Sequence, residues 1–265
     1  MEELLELAIK LSIEAGNEVL NIYREDFAVS KKSDNSPLTI ADITSHRIIL
    51  NGLSKTGIPV LSEEGKDIPY EVRRKWRKFW LVDPLDGTKE FINRNGEFTI
   101  NIALIEEKIP VLGVIYAPVK DLLYYSLRAE GAWKRQGNEV KRLSSHSEAQ
   151  GNSIRVVASR SHHSREIDDF ISKLKEKYND IEFLQAGSSL KFCLVAEGSA
   201  DLYPRFTPTM EWDTAAGQAI VEEAGGEVIA LDGSSLLYDK NELKNSGFVA
   251  VRNIEYKNLI CKSGS

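Results

Sequence analysis

The chemistry is densest in the stretch Phe79-Trp80-Leu81-Val82-Asp83-Pro84-Leu85-Asp86-Gly87-Thr88-Lys89-Glu90-Phe91. Four large apolar residues read as a buried strand, which Pro84 ends by fixing its own φ and removing a ladder donor, so Asp83 sits at a strand end. Gly87 supplies backbone freedom, Thr88 can cap a helix, and Lys89-Glu90-Phe91-Ile92 begins one whose first N–H groups face back to the turn. A helix start attracts phosphate, whereas two neighbouring aspartates repel it; a divalent cation reconciles the two. Oxygen donors with no His or Cys close by select a hard ion, magnesium first, with calcium or manganese as alternatives. The Leu85 carbonyl is a further oxygen donor. Taken singly, Asp83 and Asp86 are ordinary turn formers. Taken together at the end of a buried strand, they read as a metal and phosphate site.

Other carboxylates occupy comparable places. Pro59-Val60-Leu61-Ser62-Glu63-Glu64-Gly65 is a short strand running into an acidic turn, and if the two strands are neighbours, Glu63 or Glu64 faces Asp83 and Asp86. Thr39 caps a helix with Asp42 in its first turn and Ile40, Ile43, Ile48, Ile49 and Leu50 turned inward. Asp213 opens an Ala-rich helix that ends at Gly225-Gly226. The small residues Ala215, Ala216, Gly217 and Ala219 let that helix come close to another element, which carries Asp213 against the first half of the chain. On the basic side, Ser159-Arg160-Ser161-His162-His163-Ser164 is a hydroxyl-rich loop suited to an anion.

The elements that must hold these residues follow from periodicity. Leu4, Leu5, Ala8, Leu11, Ala15, Val19 and Ile22 recur at helical spacing, so residues 2 to 24 form an amphipathic helix. The polar run Lys31 to Pro37 is a loop or hairpin tip. Residues 66 to 78 form a charged helix or loop anchored by Trp76. Phe98 to Ile105, Val111 to Tyr116 and Leu122 to Leu127 read as an antiparallel meander. Ser144 to Ser153 is the best boundary, dividing an α+β half (1–150) with most of the carboxylates from an α/β half (151–265) with Asp213. In the second half, Ile154 to Ala158 and Ile181 to Leu184 read as strands, Glu166 to Tyr178 as a helix, and Gly187-Ser188-Ser189 as the opening of another helix. Alternating strands and helices there make a second, mixed layer.

The totals are those of an ordinary globular protein, with 265 residues, 42% hydrophobic and 28% charged. No apolar run reaches the ~20 residues that span a bilayer, and the N-terminus is acidic and amphipathic rather than a signal peptide. The expected compartment is the cytoplasm, with peripheral inner-membrane association compatible. Cys193 and Cys261 are too isolated for a disulfide framework or zinc site, and Cys193 reads as a buried thiol. A net charge of −6 and a pI near 5.4 argue against nucleic acid as a partner and leave room for a small phosphorylated substrate. A homodimer is compatible.

Asp83 to Thr88, Trp212-Asp213-Thr214-Ala215-Ala216-Gly217 and Glu63-Glu64 together resemble the magnesium-dependent, lithium-sensitive inositol monophosphatase superfamily, over roughly Leu5 to Phe248. Trp80 to Phe91, Asn95-Gly96-Glu97-Phe98-Thr99 and Gly187 to Cys193 through Tyr203-Pro204-Arg205 are most similar to its 3′(2′),5′-bisphosphate nucleotidase branch, linked to sulfur assimilation. Inositol monophosphatases usually carry Thr-Asn in place of Lys89-Glu90. The resemblance implies an αβαβα layered sandwich, and two or three Mg2+ ions held by Glu63, Asp83, the Leu85 carbonyl, Asp86 and Asp213. It further implies that Asp42 and Thr88 orient the attacking water and that the Gly87 and Thr88 amides receive the phosphate. Ser188, Lys191 and Arg205 would then hold a nucleotide's second phosphate.

The implied substrate is 3′-phosphoadenosine 5′-phosphate, with its 5′-phosphosulfate analogue as a further candidate. Inositol phosphate or fructose bisphosphate on the same scaffold is the alternative. Phosphate monoesters demand accelerations of up to ~10²¹, or roughly 28 kcal/mol, against about 3–4 for one oxyanion donor, so metals are required. Direct attack by metal-activated water is expected, since Asp83 and Asp86 lack the Asp-x-Asp spacing of a phosphoenzyme. A nucleotide-binding module without catalysis fits the complete acidic set poorly. A Ser/His hydrolase using Ser161 or Ser164 with His162 or His163 lacks a Gly-x-Ser-x-Gly elbow.

Overall fold

The helical spacing at the N-terminus produces α1 (Glu2–Arg24), which buries Leu5, Ala8, Leu11, Ala15 and Val19. The computed structural model describes residues 1–25, 29–31, 37–145, 152–158 and 165–259. A hairpin of β1 (Val29–Lys31) and β2 (Pro37–Thr39) leads into α2 (Ile40–Leu53); of the polar run Lys31 to Pro37 expected as a loop or tip, Lys31 and Pro37 belong to the two strands and 32–36 lie outside the described residues. Ile40 and Leu50, expected inside, are 53% and 36% exposed. The inner face of α2 is built instead from Ala41, Ser45, Ile49, Gly52 and Leu53. The helices approach so closely that a Cβ on Gly52 would meet the Leu11 side chain at 2.3 Å, which favours small residues there.

β3 (Val60–Ser62), α3 (Tyr70–Arg73), β4 (Lys78–Asp86) and α4 (Thr88–Ile92) lead into the meander. It comprises β5 (Thr99–Glu106), β6 (Ile109–Ala117), β7 (Leu122–Leu127), β8 (Gly131–Gln136) and β9 (Glu139–Arg142). These strands form a seven-stranded sheet in the order β3 to β9, antiparallel except for the parallel pair β3 and β4. β8 and β9 extend the sheet beyond the runs legible in the sequence. β4 also runs past its expected end at Pro84: between Asp83 and Asp86 its register with β5 slips, and a bulge absorbs the proline that a regular ladder would reject.

The second half comprises β10 (Ser153–Ala158), α5 (Arg165–Lys177), β11 (Asp180–Gln185), α6 (Leu190–Ala196), β12 (Leu202–Arg205), β13 (Thr209–Met210), α7 (Glu211–Glu223), β14 (Glu227–Ala230), β15 (Lys244–Asn245) and β16 (Phe248–Val251). Five of its strands form a mixed sheet, ordered β11-β10-β12-β16-β14, and β13 pairs with β15. The loop Ser159 to Ser164, the stretch 146–151 around the expected boundary, and Cys261 lie outside the described residues.

Three buried clusters set the layering. α1 and α2 cover one face of the large sheet, against Trp80, Ile102 and Val114. α6 and α7 fill the space between the sheets, where Phe79 and Ile115 of the first half meet Phe192, Ala216 and Phe248 of the second. Phe170, Ile171 and Leu174 of α5 cover the far face of the small sheet. The order is αβαβα, as expected. Among the described residues, no helix is long and apolar enough to cross a membrane.

Candidate active site

Parallel pairing of Ser62 with Val82 brings Glu63, just past the end of β3, alongside Asp83 at the bulge of β4. Glu63 opens a short 3₁₀ turn, and Asp83, 2% exposed, accepts the Leu85 N–H at 3.0 Å. Asp83 pairs with Asn101 and Asp86 with Thr99, so three steps along β4 match two along β5. The Ser45 hydroxyl holds the bulge by donating to the Pro84 carbonyl at 2.6 Å. Gly87, at φ 87°, takes the cap position of α4, so Thr88 is the first helical residue rather than the cap. The Thr88 hydroxyl is thereby placed 3.3 Å from both Asp42 Oδ1 and the Leu85 carbonyl. Asp42 is 1% exposed, and its Oδ2 accepts the Thr39 N–H and hydroxyl at 2.7 Å each, completing the expected cap of α2.

The opposing wall comes from the second half. Asp213, in the first turn of α7, accepts the Met210 N–H at 2.8 Å. Close packing sets the position of that helix: a Cβ on Gly113 of β6 would fall 2.5 Å from the Ala216 carbonyl oxygen. The buried Glu211 ties down its start by accepting the Asp239 and Lys240 N–H groups at 2.8 and 3.0 Å. Asp86, Gly87, Ser188, Lys191, Arg205 and Asp213 line one cleft of about 190 Å³. Glu63, Asp83, Leu85, Asp42 and Thr88 are absent from that lining; Glu63 lies on the turn after β3, Asp83 and Leu85 on the bulge of β4, Asp42 in the first turn of α2 and Thr88 at the start of α4.

Electrostatics set the character of the cleft. Burial, then the charges of Glu63, Asp86 and Asp213, push the Asp83 carboxyl well above its ordinary range. Burial, then Asp86, pushes Asp213 up to about 8. Asp86 rises through burial to about 6, against the opposing pull of Lys191. Burial pushes Lys191 down to about 8, tempered by Asp86. Its ammonium donates to the Ser188 carbonyl at 2.6 Å. These carboxylates resist ionisation because they are desolvated and face one another, and a hard cation relieves both costs. Among the described residues, no three acidic, His or Cys groups close into a ready-made cage. The oxygen-only donor set fits magnesium in type.

Sequence reasoning passed over Ser45, Thr99, Asn101 and Ser189, which support the site. A signal was present: Thr99 and Asn101 interrupt an otherwise apolar strand, and both are buried, at 0% and 1% exposure. A polar side chain inside a sheet needs a partner, and theirs belong to the cleft.

Comparison with known proteins gives a consistent result. Residues 1–263 match the inositol monophosphatase family. The 3′(2′),5′-bisphosphate nucleotidase CysQ of Salmonella typhimurium is 49% identical over 255 residues, covering 92% of this chain and 98% of the relative. CysQ of Escherichia coli is 47% identical, with the same coverage of each. The crystal structure of CysQ from Bacteroides thetaiotaomicron, described as a bacterial member of the inositol monophosphatase family, superposes with a TM-score of 0.84 at 46% identity, covering 94% of this chain and 97% of that one. A match of this extent, with relatives this similar along nearly the whole length, leaves one conclusion: the chain belongs to the inositol monophosphatase family.

Proposed function

We propose that the chain is a magnesium-dependent phosphomonoesterase that converts 3′-phosphoadenosine 5′-phosphate to AMP and phosphate, with the 5′-phosphosulfate analogue as a second substrate. One observation carries the reading: a single cleft is lined both by the acidic Asp86 and Asp213 and by the basic Lys191 and Arg205. A ligand with two anionic groups uses both, one through metal and one directly. Nε of Arg205 is buried without a hydrogen-bond partner among the described residues, which suits it to the second phosphate. The names carried by the CysQ relatives support the same substrate class.

In this reading, Glu63, Asp83, the Leu85 carbonyl and Asp86 of the first half (1–150) and Asp213 of the second (151–265) hold two or three ions. When bound, the ions neutralise the phosphoryl oxygens, polarise the attacking water and offset charge on the leaving oxygen. The protein supplies position. Thr39 locks one Asp42 oxygen, and the other receives the Thr88 hydroxyl, whose lone pairs then orient the water in line with the phosphorus. N–H groups at the open start of α4 face the phosphate. The proton released by the water passes toward Thr88 and Asp42. Inhibition by lithium and a cytoplasmic location belong to the same reading.

The test is phosphate release from 3′-phosphoadenosine 5′-phosphate with and without magnesium, alongside a folded Asp86→Asn variant. Metal-dependent release that the variant lacks is expected. No release, with inositol monophosphate turned over instead, would discard the nucleotidase reading.

A further inference from the structure

Ser188, on the turn before α6, is joined to Asp86 by a chain of side chains that runs through Thr99, Ser189 and Asn101. Ser188 Oγ lies 3.1 Å from Thr99 Oγ1, and Thr99 Oγ1 lies 2.7 Å from Ser189 Oγ. Ser189 Oγ donates to Asn101 Oδ1 at 2.8 Å, and Asn101 Nδ2 donates to Asp86 Oδ2 at 3.4 Å. Thr99, Asn101 and Ser189 are all buried, at 0%, 1% and 2% exposure.

Proton counting gives the chain a direction. An ionised Asp86 only accepts, so the Asn101 amide must turn its NH₂ toward it and its oxygen toward Ser189. Ser189 spends its single proton on that oxygen, so Thr99 donates to Ser189, and Ser188 donates to Thr99. Ser188 is therefore the free end of a polarised wire, and it lines the cleft beside Lys191 and Arg205. It is held there in a left-handed conformation, φ 43°, unusual for a residue with a side chain. The preceding Gly187 N–H is pinned by Glu97 Oε2 at 2.9 Å, across the junction between the halves. An anion that takes the Ser188 proton removes the donor that polarises Thr99; Thr99, Ser189 and Asn101 keep their own donations, but each becomes a weaker donor, so the carboxylate of Asp86 at the far end keeps more of its charge for a cation.

We infer that Thr99, Ser189 and Asn101 are positioning residues that couple an anionic group at Ser188, Lys191 and Arg205 to the orientation of the Asp86 carboxylate. This rests on the reading above and deepens it: the second phosphate of a nucleotide does more than add affinity, because its binding sets a metal ligand. By linkage, metal at Asp86 and anion at Ser188 strengthen each other's binding by the same factor.

The test measures Mn2+ binding to the full chain by calorimetry, with and without saturating AMP, whose single phosphate serves as the anionic probe. AMP is expected to tighten Mn2+ binding by about fivefold or more in the wild type. Thr99→Val and Ser189→Ala, checked by thermal melting, are expected to lose that enhancement, and the hydroxyl-preserving Thr99→Ser and Ser189→Thr to restore it. Equal Mn2+ affinity with and without AMP in the wild type, or enhancement retained in both Val and Ala variants, would overturn the inference. Phosphate release from 3′-phosphoadenosine 5′-phosphate in the same preparations judges the nucleotidase reading separately. Release without coupling discards the coupling alone; coupling without release discards the substrate assignment alone.

Discussion

The hydroxyl of Ser45 on α2 donates to the carbonyl of Pro84 on β4 at 2.6 Å, in the buried space where the bulge lifts Asp83 and Asp86 away from a regular ladder. That carbonyl has no strand partner to fall back on. Ser45→Ala is expected to lower stability by about 1–3 kcal/mol, the usual cost of orphaning a buried acceptor. It should also reduce metal-dependent phosphate release about tenfold, because the bulge sets the spacing of two proposed ligands. Urea unfolding and turnover measured on one preparation check both effects. Stability lost with turnover intact would mean that the bulge is held elsewhere.

Carboxylates that repel one another make the protein's heat stability respond to cations. Magnesium is expected to raise the melting temperature of the wild type, and Asp83→Asn or Asp213→Asn to abolish most of that rise. Scanning fluorimetry with EDTA and then excess magnesium reads it directly. Undiminished rises in both variants would remove these residues from the proposed ligand set.

Arg205→Gln deletes a charge from the cleft while keeping every proposed metal ligand in place. The KM for 3′-phosphoadenosine 5′-phosphate is expected to rise about tenfold or more, a typical loss for one charge-assisted contact. KM for 3′-AMP, which has no second phosphate, should change little. Equal changes for both substrates would place Arg205 outside the second-phosphate contact.

Gly113 is where α7 rests on the large sheet, with the Ala216 carbonyl oxygen 2.5 Å and the Ala219 Cβ 2.9 Å from where its own Cβ would be. Gly113→Val must push the helix outward. A loss of about 1–3 kcal/mol is expected from overpacking, with weaker metal binding because Asp213 rides on that helix. Chemical denaturation and calorimetric magnesium titration test the two parts.

Burial, with Glu227 and Glu223 adding to it, pushes Glu222 up to about 7 from 4.5, against a 2.8 Å hydrogen bond from Gln218 that opposes the shift. With a raised folded-state value, this group favours the native state below pH 4.5, and that contribution is lost as pH rises to about 7. Glu222→Gln, which keeps the acceptor oxygen, is therefore expected to stabilise the protein at pH 8 by about 1–2 kcal/mol after allowing for screening, and to change nothing at pH 4. Urea midpoints at the two pH values decide it; an equal change at both would assign the effect to packing.

The chemistry of the site could be read from the chain because it depends on residue type and local spacing. Asp83, Asp86, Gly87 and Thr88 lie within six positions, and a proline, a glycine and an apolar run determine that they form a turn between strand and helix. Periodicity likewise placed α1, the meander and the Ala-rich α7. The αβαβα order of the layers was implied by the family resemblance of Asp83 to Thr88 and Trp212 to Gly217, since periodicity places elements but does not stack them.

What the chain could not show alone was decided by contacts between residues far apart. Pro84 reads as the end of a strand, yet β4 continues to Asp86, because Ser45 from another helix satisfies the bulge. Ile40 and Leu50 read as inward, yet they lie off the face that α2 buries through Ala41, Ser45, Ile49, Gly52 and Leu53. Asn101 and Ser189 carry no chemistry in the sequence; they acquire a role only where β5 meets the loop before α6 across 88 positions of chain. Hydrogen-bond partners and helix separations of this kind are properties of three-dimensional proximity. Local sequence determined which groups this protein has to work with, and packing between the two sheets decided which of them meet.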